Sequence, residues 1–99
     1  MSAINVSLRE LQTELRSRED SGDFKTAAIF AFVLAKRMQK DGLLSSAESW
    51  ARKCLELLTK FPTDTEEQCA SPYLSVSGVP IPGLFHEGTV RRDLAPLAL

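Results

Sequence analysis

The stretch Ala27-Ala28-Ile29-Phe30-Ala31-Phe32-Val33-Leu34-Ala35 is apolar at every position. Asp23 ahead of it is a good helix N-cap, and Met38 continues one of its faces. Lys36, Arg37 and Lys40 fall where cations suit the negative end of a helix dipole. Gly42 is placed as the C′ residue that closes a helix. The pattern predicts one helix from Asp23 to about Lys40. A helix that is apolar all round must be covered all round, so the rest of the chain is read for its cover.

The next segment supplies the first part of that cover. Ala47, Trp50, Ala51, Cys54, Leu55, Leu58 and Phe61 recur with the spacing of one helical face. Ser45 and Glu48 form a Ser-x-x-Glu capping box at its start. Glu48, Arg52, Glu56 and Lys60 alternate in sign four residues apart, which supports a helix. Pro62 ends it, because the residue before proline is pushed out of the helical region. Upstream, Ser7 and Glu10 make another capping box, with Val6 and Leu11 placed as a hydrophobic staple. Leu8, Leu11 and Leu15 form a narrow apolar stripe that fades through 17–22, where Ser, Asp and Gly accumulate. Residues 7–62 therefore read as an all-α three-helix bundle.

Residues 63–99 read differently. The segment 63–70 has the makings of one short acidic helical turn, and Tyr73 to Ser77 alternates like a strand, with Leu74 and Val76 on one side. Gly78, Pro80, Pro82 and Gly83 interrupt the chain beyond it, and closely spaced prolines confine that part to an extended edge. Thr89 is placed to cap a last helix in which Val90, Leu94 and Leu97 share a face, with Pro96 limiting its length. The chain thus divides into a helical domain, 1–62, and an irregular extension, 63–99, carrying at most a short strand and a short helix. The extension holds too much apolar matter for a free linker. It packs on the helical domain or crosses to a partner subunit, and an extended arm of this kind suits exchange between the protomers of a homodimer.

Within 28–62, Leu34-Ala35, Met38, Gly42, Ala47, Cys54-Leu55 and Pro62 fall near the positions where a tetratricopeptide repeat keeps its Leu-Gly pair, aromatic, turn glycine, small crossing residue, Ala-Leu pair and proline. The stretch resembles a single such helical hairpin. An alternative phase starts from Gly22-Asp23-Phe24 and Ala27, which resembles the turn opening a repeat's second helix. The two phases exclude each other in a regular array. The resemblance implies a hairpin whose faces need neighbours, with the first helix and the extension acting as caps.

Composition limits the function classes. The 99 residues are 43% hydrophobic and 25% charged, with a net charge of −1. Residues 1–62 carry ten Lys/Arg against eight Asp/Glu, and 63–99 two against five, so neither part has the field that attracts nucleic acid or an anionic membrane. No apolar run approaches the ~20 residues of a membrane span. Two cysteines, Cys54 and Cys69, do not make a disulfide framework. With no basic-then-apolar leader, the expected location is cytoplasmic and reducing.

The residues that carry chemistry are sparse. The one histidine, His86, and Cys69 sit in no nucleophile signature. One His and two distant Cys lack the paired spacing of a zinc site, and Asp64, Glu66 and Glu67 lack the glycine-centred loop of an EF-hand. The scattered glycines make no phosphate loop. The expectation is no enzyme, no cofactor and no metal. The function expected is a non-catalytic protein–protein interaction module, a small adaptor, assembly factor or accessory subunit whose partner is another protein. Trp50, Phe85, Arg91 and Arg92 are its candidate interaction residues, although the first reading of Trp50 is a core anchor against the second helix and an interface hot spot only the second. The alternatives are a small regulatory DNA-binding protein, or an enzyme subunit whose active site another chain completes. The start of the third helix, with Ser45, Ser46, Glu48 and Ser49, is a poor reading surface for DNA.

Overall fold

The computed structural model describes residues 2–4, 6–95 and 97. Three long helices, α1 (Leu8–Asp20), α2 (Phe24–Lys40) and α3 (Leu44–Leu58), come first. The extension adds a short helix α4 (Glu66–Cys69), strands β2 (Tyr73–Val76) and β3 (Val79–Pro80), and a last helix α5 (Glu87–Asp93). A strand β1 (Ser2–Ile4) precedes them all and completes a small sheet of order β1-β2-β3. The mostly helical architecture is the one the periodicities predict. The extension holds a strand pair and two short helices, and its β2 pairs in parallel with the chain start.

Both long-helix turns are closed by glycine in the left-handed region. Gly22 has φ 85 and Gly42 φ 79. At each, the amide beyond the glycine donates back to the turn it leaves, Asp23 to the Arg18 carbonyl at 2.8 Å and Leu43 to the Met38 carbonyl at 2.9 Å. These are Schellman closures. The first lets α1 run to Asp20, through the segment where its apolar stripe fades, and hands the chain to Asp23, whose carboxylate accepts from the Thr26 amide at 3.3 Å.

The second closure corrects the reading of α3. The Leu43 carbonyl already accepts from the Ala47 amide at 2.9 Å, so the helix begins at Leu44 with Leu43 as an N-cap that makes no side-chain cap bond. Ser45 therefore lies inside the first turn, and the Ser45–Glu48 box is not the cap. At the other end α3 stops at Leu58, before Pro62 is reached. The cap of α5 is likewise displaced. His86 is its N-cap and Thr89 stands three residues in, each side chain accepting from the other's backbone amide. Pro96 lies outside the described residues.

Every residue from Thr26 to Ala35 is buried. Leu11 and Leu15 cover α2 from α1, and Ala47, Ala51, Cys54, Leu57 and Leu58 line the inner side of α3. Trp50 and Leu55, expected in the centre of this contact, are only half-buried. The buried face of α3 is centred on Ala47, Ala51 and Cys54, small side chains that let two helices approach closely and leave no central room for an indole. The extension closes the remaining side. Val76, Val79, Ile81, Phe85, Val90 and Leu94 join one core with α2, and Phe32 meets Phe85 edge to face, 5.6 Å between centroids. The extension thus folds back on its own helical domain.

Candidate functional site

The last two turns of α2 run out from under this cover. Lys36 and Lys40 are four residues apart on one face, with Arg37 beside them. Like charges at that spacing oppose each other by a few tenths of a kcal/mol, which offsets part of what each cation gains from the helix dipole. Against this end the β2–β3 hairpin turns at Ser77 and Gly78, which have φ 52 and 81. Positive φ at both central residues is the two-residue turn whose twist matches the flanking strands. Between the helix end and this turn lies a groove of about 570 Å³ lined by Lys36, Arg37, Gln39, Lys40, Ser77, Gly78, Val79 and Pro80.

The walls are fixed by hydrogen bonds. The Ser77 hydroxyl donates to the Val6 carbonyl at 2.6 Å and accepts from the Val6 amide at 3.1 Å, which pins the hairpin turn to the chain entering α1. Arg37 Nη1 donates to the Ser77 carbonyl at 3.0 Å. Lys36 Nζ donates to the Asp93 carbonyl at the end of α5 at 2.9 Å. Lys40 is exposed. None of the three has a carboxylate within ion-pair distance among the described residues; the ion pairs found lie elsewhere, as at Lys53–Glu19, 2.7 Å, between α3 and α1. The helix dipole adds about half a negative charge at this end, and Asp41, the C-cap of α2, follows Lys40 directly; the three cations still outnumber the carboxylates in this stretch of the helix. The groove is thus lined by three cationic side chains, Gln39 and Ser77, with Val79 and Pro80 as its apolar part.

Next in sequence after this end, Leu43 and Leu44 are 53% and 54% exposed. The α2–α3 corner therefore sets an apolar pair beside a basic end. Of the candidate interaction residues, Phe85 is wholly buried and presents no surface. Its flanking prolines and glycines give no period from which burial is legible. Trp50 is half-buried, Arg91 is engaged by Glu87 at 2.9 Å, and Arg92 is exposed on α5. The groove residues Lys36, Arg37 and Lys40 entered the sequence reading only as dipole partners. The like-charge pair Lys36 and Lys40 at i, i+4 is the one sequence signal that sets them apart.

Cys69, His86 and Cys54 each make a local contact or lie buried. The Phe85 amide donates to the Cys69 carbonyl at 2.7 Å, so the segments carrying Cys69 and His86 adjoin. The His86 ring is nevertheless turned to the Thr89 amide, and the Cys69 thiol donates to the Thr63 carbonyl at 3.3 Å. Burial pushes the Cys54 thiol far above its ordinary range. No helix among the described residues is long and apolar enough to cross a membrane. Comparison of the chain with protein-family models, curated proteins and solved structures finds no match.

Proposed function

We propose that the chain is a non-catalytic protein-interaction module, an adaptor, assembly factor or accessory subunit, which engages its partner with the end of α2 and the α2–α3 corner. The observation that carries this reading is the pairing of a basic groove with the exposed Leu43 and Leu44. Interfaces combine an apolar centre with a polar rim, and arginine is enriched in them; the exposed leucines and Arg37 fit that composition. In this reading α2 and α3 act as a repeat-like hairpin capped by α1 and the extension. The two free buried thiols fit a reducing compartment, and the cytoplasm is the proposed location.

Photo-crosslinking in the native cell tests it. With p-benzoylphenylalanine at position 44, one discrete adduct is expected, and mass spectrometry identifies the partner. The same group at position 74, where Leu74 is 60% exposed, is the control and gives none. A second copy of this chain in the adduct makes the module a homodimer. No adduct at 44, or the same ladder at both positions, contradicts the reading.

A further inference from the structure

The groove has a third property besides its charge and its apolar part. The Ile81 amide donates to the Leu74 carbonyl at 3.0 Å, and Ser75 pairs with Pro80 and Val76 with Val79. Hydrogen-bonded and non-hydrogen-bonded pairs alternate in an antiparallel ladder. Leu74–Ile81 and Val76–Val79 are therefore the bonded pairs, and the backbone of Pro80 faces the free edge of β3. Proline has no N–H to give there. Pro80 therefore offers an added strand a carbonyl but no donor, which disfavours strand addition at the lip of the groove and leaves the side chains as the main donors to an occupant.

The cations are also not gathered round one point. Lys36 bonds to the Asp93 carbonyl at the end of α5 and Arg37 to the Ser77 carbonyl in the hairpin turn, two different elements, while Lys40 is exposed. A single compact anion needs donors converging on it. Separated cations along one helix end match carboxylates spaced along a chain. The geometry points to an acidic segment of a partner protein as the occupant of this groove, its Asp and Glu carboxylates held by Lys36, Arg37 and Lys40, with no strand added to β3. This rests on the interaction-module reading and specifies which partner chemistry the module takes.

The test uses the full chain and a fluorescein-labelled decapeptide of alternating Glu and Ser, with the Gln-Ser peptide as its neutral counterpart. The Glu-Ser peptide binds, with an affinity that falls as salt rises, and the neutral peptide does not. Lys40→Glu weakens binding about tenfold by setting like charge against the ligand. Arg16→Glu, the same charge change on the exposed face of α1, alters it less than about twofold. Amide shifts on titration map to 36–40 and 77–80. Equal weakening by both reversals makes the attraction one of net charge and overturns the site. So do saturation of the same amides by inorganic phosphate at lower concentration than by the peptide, binding of phosphatidylserine vesicles in place of the peptide, or no binding at all. If the peptide fails while the crosslink at position 44 persists, the acidic occupant is wrong and the module stands. If the crosslink fails too, both are wrong.

Discussion

Phe85→Ala isolates the contribution of the extension to the core. Phe85 is fully buried and packs its ring edge to face with Phe32 at 5.6 Å and 89°. Removing the ring forfeits a transfer term of about 2 kcal/mol. A residual void of roughly 60 Å³ adds about 1.5 kcal/mol at ~24 cal/mol per Å³. The lost aromatic pair adds about 0.5–1.5 kcal/mol. The sum is about 4–5 kcal/mol, against a total stability of roughly 5–15 kcal/mol for a chain of this size. Urea titration followed by circular dichroism at 222 nm should show a much lower midpoint with an unchanged slope, and the melting temperature should fall by at least about 15 °C. Leu74→Ala, on the same extension but 60% exposed, should stay within about 0.5 kcal/mol. Equal effects of the two substitutions refute the folded-back extension.

Ser77→Ala removes both hydrogen bonds to Val6 and should cost about 1–3 kcal/mol, with faster exchange of the Val6 amide as its local sign. Asp23→Ala, at a working cap, should cost about 1 kcal/mol, while Ser45→Ala should be nearly neutral; the reverse order in denaturant melts counts against the Leu43 start of α3. Cys54 holds its proton when folded because burial raises its pKa, whereas unfolded it ionises near pH 8.5. Its contribution is therefore whole below about pH 8.5 and lost as pH rises. Melts between pH 7 and 10 should show this slope, and Cys54→Ala should flatten it.

How much of the fold the sequence discloses depends on the range of the interactions involved. The three long helices are legible because each carries its own period and each junction its own glycine. The start of α3 misleads because two local signals compete, and the Gly42 closure, which already orients the Leu43 carbonyl, prevails over the Ser45 box. β1 leaves no local trace, since its pairing to β2 joins positions some seventy residues apart. The α5 cap is concealed by residue type, because histidine is not among the usual caps. The burial of Phe85 depends on Phe32 lying opposite it, and no periodicity within a proline-rich segment reports that. The groove is half legible. Its cations stand together in sequence, but the hairpin that makes them a site returns from residues 77–80.

The proposed protein-binding surface is the end of α2 with the adjoining α2–α3 corner. Hydrogen–deuterium exchange, on the unsubstituted chain alone and in non-covalent complex with the partner that the crosslink identifies, reads that surface without altering a residue. Added protection is expected at 36–44 and 77–80 and nowhere else. Protection elsewhere, with those two segments exchanging as in the free chain, contradicts it.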